Sequence, residues 1–519
     1  MNPIGAVTMT SSSTTYGDVV DDFAAAARDW PDRIAVLHNG RAISYHALAE
    51  RIRETAMCYR AGGAGSSSRP VGALVTHTPA MVEHLIGILQ AGAAYSPIAA
   101  ALPDARIQSL AAVLGIGHLY ATVPGMCGTA ELPVKTLDKN MAAADTESPQ
   151  PRCRPADAAY VLCTSGSTGV PKPVVVSRHA LSVTVRALRR LFDLTPDDRV
   201  LQFASLGWDT CLEEILPALT SGAALVFDDI AHSGSFPAFV RMLAELGITV
   251  LDLPTAFWHE LVFFLHEEHA TLPACVRLIV IGGERVDPTR LRQWRELGIG
   301  HVTLLNTYGC TETTMITHAV QLAGPGTEPE VAAEAAEAPL GRRLPHVRDH
   351  VTDEGELLVA GPSLADGYLG SPELTAAAFP LADHDCGPQR WFRTGDLVAR
   401  GENGLLYPRG RIDEQVKVSG VRVHPAEIET QLITHPAVGG AVVVGERVLG
   451  RTSLAAYVVA VAPTTSGELK HYLRQRLPSQ FVPSRISFVT SMKYTTSGKV
   501  DRAATQRAAE DHRSQGAER

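Results

Sequence analysis

Along most of its length the chain alternates short apolar runs with amphipathic helical stretches, and this alternation limits the fold more than any other feature. "RIAVLHNG" precedes "ISYHALAERIRETAMCYRAGG", and "VGALVTH" precedes "PAMVEHLIGILQAGA". "GAALVFDD" is followed by "PAFVRMLAELG", and "ITVLDLP" and "VRLIVIGGE" follow with helical segments between them. Strands that are apolar throughout and separated by helices predict parallel sheets covered on both faces. At 519 residues the chain exceeds what one core supports, so a large layered unit plus at least one smaller domain is expected.

After Gly341 the texture changes. "GELLVAGPSLADGYLG", "WFRTGDLVARG" and "GLLYPRGRIDEQVKVSG" are short alternating runs broken by Gly and Asp, which predicts a smaller antiparallel or barrel-like region. From about Asp413, "HPAEIETQLITH" and "SGELKHYLRQRL" read as helices, and "AVGGAVVVGE" and "TSLAAYVVAV" as strands. These suffice for a compact α+β domain of about one hundred residues. The stretch "PGTEPEVAAEAAEAP" reads as a surface loop or weak helix, and the tail "AAEDHRSQGAER" as frayed.

A formal net charge of −9, with 45% hydrophobic and 19% charged residues, describes a globular chain without the basic surface that nucleic acid or an anionic membrane would need. A small anionic ligand requires only local cations. The eight cysteines form no CxxC pair and no Cys/His cluster at metal spacing, which fits reduced thiols. No basic segment leads into an apolar run at the start, and no segment reaches ~18 uninterrupted apolar residues. The expectation is a cytoplasmic protein with a disordered, Ser/Thr-rich N-terminal segment over 1–16.

One loop stands apart, "CTSGSTGVPKP", between the strand-like runs "AAYVL" and "VVV". Glycines let backbone approach a ligand closely, Thr164, Ser165, Ser167 and Thr168 offer hydroxyl donors, and Lys172 adds a point charge. A phosphate suits such a loop, although a flexible Ser/Gly surface loop has the same composition. The order is not that of a Walker A loop, because the lysine follows a proline and no Ser or Thr follows it.

Taken with "NTYGCTE", "FRTGDL", "GRIDEQVKVSGVR" and "SGKVDR", the loop resembles the ordered motif series of the ANL superfamily of adenylate-forming enzymes. More closely, the series is similar to the amino-acid adenylation domains of nonribosomal peptide synthetases, with matches from near Ser44 to Lys499. The resemblance implies a large N-terminal part of two parallel-type subdomains and a β-barrel, over 17–411. It also implies a hinge at 412–413, a small mobile C-terminal lid over 414–505, and a frayed tail over 506–519. The implied chemistry has two halves: a carboxylate attacks the α-phosphate of ATP, releasing pyrophosphate, and a thiol then captures the acyl adenylate.

By the same resemblance, Thr164, Ser165, Gly166, Ser167, Thr168 and Lys172 hold phosphate. Asn306, Thr307, Tyr308, Gly309 and Thr311 border the nucleotide, with Tyr308 stacking adenine and Thr311 meeting phosphate. Glu312 holds Mg²⁺. Gly282, Gly283 and Glu284 match the adenine wall, though "GGE" also reads as an ordinary strand-to-helix turn. Asp396 accepts from the ribose hydroxyls, with Arg411 beside it. Asp413 matches the hinge. Lys499, otherwise a solvated lysine, enters the site to neutralise charge as the carboxylate attacks phosphorus. When the lid turns, Lys417, Gly420 and Arg422 border a pantetheine channel.

"ASLGWDTCLEEI" resembles the family stretch whose aspartate pairs with the substrate's α-ammonium, and Asp209 fills that position; a helix N-cap is the other use of such an Asp. The alignment of motifs puts Thr210, Glu213, Ala256, Ile279, Ile281, Thr307, Met315 and Ile316 around the side-chain pocket. A carboxylate among apolar walls is costly without a cation, so Glu213 points to a basic amino acid such as lysine, β-lysine or ornithine, unless it faces solvent or caps a helix.

Pro173, Cys310, Asp366 and Ala99 depart from the usual motif residues, and none of them is a group assigned to phosphate, magnesium or ribose. No carrier domain and no condensation-type segment is visible. The expected partner is therefore a separate carrier protein with a phosphopantetheine arm, with a small accessory activator protein as an optional further partner. The alternatives are an acyl- or aminoacyl-CoA ligase or a luciferase-like enzyme of the same fold, and a noncatalytic nucleotide-binding homologue.

Overall fold

The structure is a computed structural model that describes residues 17–64, 69–129, 131–138, 153–166, 169–328, 331, 337–384, 386–448, 451–493 and 501–517. Ser167, Thr168 and Lys499, and the N-terminal segment 1–16, lie outside the described residues.

The alternation becomes two large, mostly parallel sheets. The first has seven strands in the order Gly367–Tyr368, Lys172–Ser177, Ala158–Thr164, Tyr95–Ala99, Val71–Val75, Leu119–Ala121 and Val134–Lys135. The second has nine, in the order Arg342–Arg343, Ile316–Ala323, Thr303–Gly309, Leu278–Gly282, Val250–Pro254, Arg199–Leu201, Ala224–Phe227, Ile34–His38 and Arg41–Ser44. Its six central strands, from Thr303–Gly309 to Ile34–His38, run parallel, and both edges are antiparallel.

One core packs between the sheets around the helices Val19–Asp29, Tyr45–Ala61, Ala80–Gln90, Arg178–Leu191 and Thr210–Thr220. A second core covers the outer face of the nine-stranded sheet with the helices Phe236–Leu246 and Thr255–Glu267. Strands buried on both faces explain the continuous apolar runs. Within Leu278–Gly282, Leu278 and Val280 join the inner core while Ile279 and Ile281 join the outer one, as a period of two requires.

The texture change after Gly341 is a four-stranded antiparallel sheet of Arg348–Val351, Glu356–Ala360, Phe392–Arg400 and Leu406–Arg411. The C-terminal region has its own core, built on the sheet of Val438–Val448, Arg451–Ala460 and Arg485–Phe488 and on the helices Pro425–Ile433 and Ser466–Arg474. The molecule is thus a large α/β body with a smaller α+β lid. Within the tail, residues 502–517 are helical, Arg502–Ala517, and Gln506 Nε2 donates to Glu510 Oε1 at 3.0 Å. Alanine-rich composition and such i,i+4 pairs favour helix.

Candidate active site

The central strands of the nine-stranded sheet end together, at Gly309, Gly282, Pro254 and Leu201, and a cavity of about 660 Å³ lies along those ends, bordered by residues of the C-terminal region. A crevice at the carboxyl ends of parallel strands is where α/β sheets collect ligands. Each strand ends at a break in its apolar run, which frees backbone and polar side chains to face the crevice.

At the phosphate-loop end, the loop leaves the strand Ala158–Thr164 and returns as Lys172–Ser177, its antiparallel partner. Thr164 lines the cavity. Gly166 is required by close approach, since a Cβ there would stand 1.8 Å from the Val170 carbonyl oxygen. Ser165 Oγ donates to the lid at the Arg422 carbonyl, 2.8 Å away. Lys172 Nζ stands 5.7 Å from the centre of the Tyr368 ring, and burial lowers its pKa against the opposing pull of Glu312.

The strand Thr303–Gly309 supplies the next group. Tyr308 OH donates to Asp396 Oδ2 at 2.6 Å, and Arg411 Nη1 donates to Asp396 Oδ1. Burial would raise the Asp396 carboxyl, but Lys417, Arg411 and Arg422 together hold it below its usual range. Lys417 Nζ lies 5.5 Å from the centre of the Tyr308 ring. Glu312 is buried; its Oε1 accepts from Tyr368 OH at 3.0 Å and its Oε2 from Arg422 Nη1 at 3.3 Å. Asn306 is buried away from the cavity, and its Nδ2 donates to the Pro339 carbonyl. Arg411 also binds Asp413, through Nε to Oδ1 at 2.6 Å, so one guanidinium joins Asp413 to Asp396.

The lid enters through Lys417, Ser419, Gly420, Val421 and Arg422, which line the cavity. Gly420 N–H donates to Glu284 Oε1 at 2.6 Å. Gly283, at φ +87°, allows that approach, because a Cβ there would stand 3.0 Å from Gly420 Cα.

The other end is built from the helix Thr210–Thr220. Asp209 occupies its N-cap position yet makes no capping hydrogen bond, and its Oδ2 has no partner. Burial raises its pKa to about 6. Glu213 stands one turn along, also buried and lining the cavity, so it neither faces solvent nor caps the helix. Glu214 is fully satisfied: it accepts from the backbone N–H groups of Phe203 and Ala204 and from Gln202 Nε2, and so anchors the preceding loop.

Asp252, which sequence reasoning missed, faces Glu213 from the strand Val250–Pro254; it is buried, lines the cavity, and its Oδ2 has no partner. Burial, and for Glu213 the charge of Asp252, push both carboxyls well above the usual range. The available signal was an aspartate inside an otherwise apolar parallel strand, a placement that costs free energy unless something uses it. Thr210, Ala256, Thr307, Met315 and Ile316 line the cavity as expected. Ile279 and Ile281 belong instead to the outer core.

Among the described residues no group of three or more His, Cys, Asp or Glu could cage a metal ion. Mg²⁺ needs no such cage when substrate phosphates supply most ligands beside one or two carboxylates, and Glu312 beside the phosphate loop fits that use.

Comparison with known proteins agrees with the geometry. The profile of the family described as AMP-binding enzyme matches residues 23–369. The chain belongs to the AMP-binding enzymes. The profile of the AMP-binding enzyme C-terminal domain matches residues 427–499 of the same chain. This AMP-binding enzyme is 38% identical over 485 residues to an isonitrile lipopeptide synthase of Streptomyces coeruleorubidus, covering 92% of the chain and 32% of that relative. It is 33% identical over 504 residues to bacitracin synthase 3 of Bacillus licheniformis, covering 93% of the chain and 8% of that relative. The chain thus spans a third or less of these relatives' length.

Among solved structures, the enzyme superposes with TM-score 0.80 and 23% identity on an artificially fused adenylation-PCP di-domain from Klebsiella oxytoca, covering 92% of this chain and 94% of that one. It superposes with TM-score 0.80 and 24% identity on the amide bond synthetase McbA of Marinactinospora thermotolerans, covering 93% and 99%. These likenesses establish the ANL-type fold. Among the described residues no helix of the AMP-binding enzyme is long and apolar enough to cross a membrane.

Proposed function

We propose that the protein activates a basic amino acid as its aminoacyl-AMP and passes it to the phosphopantetheine thiol of a carrier protein. The observation that carries this reading is the gathering of three buried carboxyl groups in one cavity, Asp209 and the adjoining pair Glu213 and Asp252, with no basic side chain paired to any of them among the described residues. Asp209 at the helix start would receive the α-ammonium, and the Glu213–Asp252 pair a side-chain cation. Buried carboxylates are strongly disfavoured alone and strongly favoured with a hydrogen-bonded cation, so the pocket discriminates by charge.

In the first half-reaction an oxygen of the substrate carboxylate attacks the α-phosphorus of ATP, and the bond to the β-phosphate breaks, releasing pyrophosphate. The phosphate loop and Lys172 would bind phosphate. Asp396 keeps acceptor capacity for ribose hydroxyls, since a carboxylate has about four lone-pair sites and Tyr308 and Arg411 take two of them. Mg²⁺, held by Glu312 and the phosphates, would supply charge neutralisation. Lys499, by its motif, would meet the charge developing on phosphorus. In the second half-reaction the thiol sulfur attacks the acyl carbon, the bond to AMP breaks, and the thiol proton passes to solvent. The lid position seen here, with Gly420 to Arg422 on the cavity, suits that second step. The domain limits 17–411, 412–413 and 414–505 follow from this reading, and a carrier partner is supported by the likeness to the Klebsiella adenylation-PCP fusion.

The test is pyrophosphate exchange across the amino acids. Exchange highest with lysine, β-lysine or ornithine supports the reading; exchange highest with a neutral amino acid contradicts it.

A further inference from the structure

The helix Asp104–Leu114 of the large body directs one buried arginine, Arg106, at the lid. Its Nη1 donates to Glu427 Oε1 at 2.5 Å, and the two side chains are 10% and 1% exposed. Its guanidinium also stands 5.8 Å from the centre of the Phe481 ring, which is fully buried in the lid core. Arg106 therefore touches two separate lid elements, the helix Pro425–Ile433 and the turn Ser479–Phe481.

Local propensity does not explain an arginine there. A cation in the first turn of a helix opposes the helix dipole, which favours anions at that end. Glu427 Oε2 has no partner, and Arg106 is the one cation paired with Glu427 among the described residues. One turn along the lid helix, Thr430 packs on the phosphate loop: a Cβ at Gly169 would stand 2.5 Å from Thr430 Oγ1. Glu427 and Thr430 share a helix face, so the Arg106 contact and the seating of the lid on the loop form or separate together.

A buried ion pair is a two-state contact. It holds when closed, and it must be fully solvated when open, because either charge left buried alone is heavily penalised. Arg106 touches none of the residues assigned to nucleotide or amino acid, and it is absent from the cavity lining. We infer that Arg106 is a positioning residue for the second half-reaction: by capturing Glu427 it holds the lid with Gly420 and Arg422 toward the cavity, and the pair opens when the lid turns away for the first half-reaction. This rests on the two-step reading above.

The test separates the half-reactions in full-length protein. Pyrophosphate exchange with the preferred amino acid reports the first step. Single-turnover transfer from preformed aminoacyl-AMP to free pantetheine reports the second. For Arg106→Ala and Glu427→Gln, exchange is expected within threefold of the unaltered protein and transfer reduced tenfold or more. Arg106→Lys should fall between, and the charge swap Arg106→Glu with Glu427→Arg should recover at least a third of the transfer rate. Exchange and transfer falling in parallel in both single variants, without recovery in the swap, would reduce the pair to a structural contact and overturn the inference. So would unchanged transfer in both. If the unaltered protein exchanges with no amino acid, the activation reading fails instead, and that outcome is visible before any variant is made.

Discussion

The two ends of the cavity treat buried charge in opposite ways. At the end proposed for the nucleotide both Asp396 and Glu312 are engaged: Asp396 by Tyr308 and Arg411, Glu312 by Tyr368 and Arg422. At the amino-acid end Asp209 and Asp252 each keep an oxygen without a partner, and Glu213 stands beside them with a strongly raised pKa. The first arrangement is hydrogen-bonded before any ligand arrives, as a site for chemistry common to all substrates would require. The second is met by protons in the free pocket and would be met by a cation in the loaded one, and so would select among substrates by charge.

That contrast can be broken by removing a group from one end and reading the other. The largest effect belongs to a contact made only in the transition state: Lys499→Ala should lower the exchange rate by roughly 10²–10³ with little change in the KM of either substrate. Next comes Asp209→Asn, which removes a buried charge partner worth about 2–5 kcal/mol; kcat/KM for the amino acid should fall at least thirtyfold while the KM for ATP stays unchanged. At the nucleotide end, Arg411→Ala should raise the KM for ATP about tenfold, the loss of one charge-assisted hydrogen bond, with the order of amino-acid preference intact. Steady-state exchange kinetics check all three.

The smallest effect is on pH. Burial raises the carboxyls of Asp209, Glu213 and Asp252, so the free pocket carries protons that a bound cation must displace. Binding then releases protons, and the KM for a basic amino acid should fall as pH rises from 6 to 8, by at most about tenfold per unit for each proton released. The KM for ATP should not follow it, because Asp396 is held below its usual range and stays ionised throughout.

Legibility in the sequence follows the same division. The layered α/β body was readable because strands buried on both faces must be apolar along their whole length, as "LIVIG" and "ALVF" are. The grouping of Tyr308, Glu312, Asp396 and Arg411 was readable because these residues sit in ordered motifs, and the structure brings them together. The side-chain pocket was only partly readable. Glu213 stands on a helix whose period places it one turn from Asp209, but Asp252 comes from a different strand, and only the fold brings the two together. Ile279 and Ile281 were misplaced for a related reason, since their strand has two buried faces and the sequence does not say which one meets the cavity. The helix within the tail accords with its alanines and Gln506–Glu510 spacing, which favour helix despite the polar composition. The Arg106–Glu427 contact joins residues 321 positions apart, beyond any local pattern.

The claim on which the rest stands is that the buried Glu213–Asp252 carboxyl pair reads a cation on the substrate's side chain. The direct measurement is the ratio of kcat/KM for lysine to that for norleucine, its near-isostere without the distal amine, in the unaltered protein and in the Glu213→Gln, Asp252→Asn double variant. The ratio should be large in the unaltered protein and fall at least a hundredfold in the double variant, about 2.7 kcal/mol of lost discrimination. A ratio near one in the unaltered protein, or one that the double variant leaves unchanged, would contradict the account.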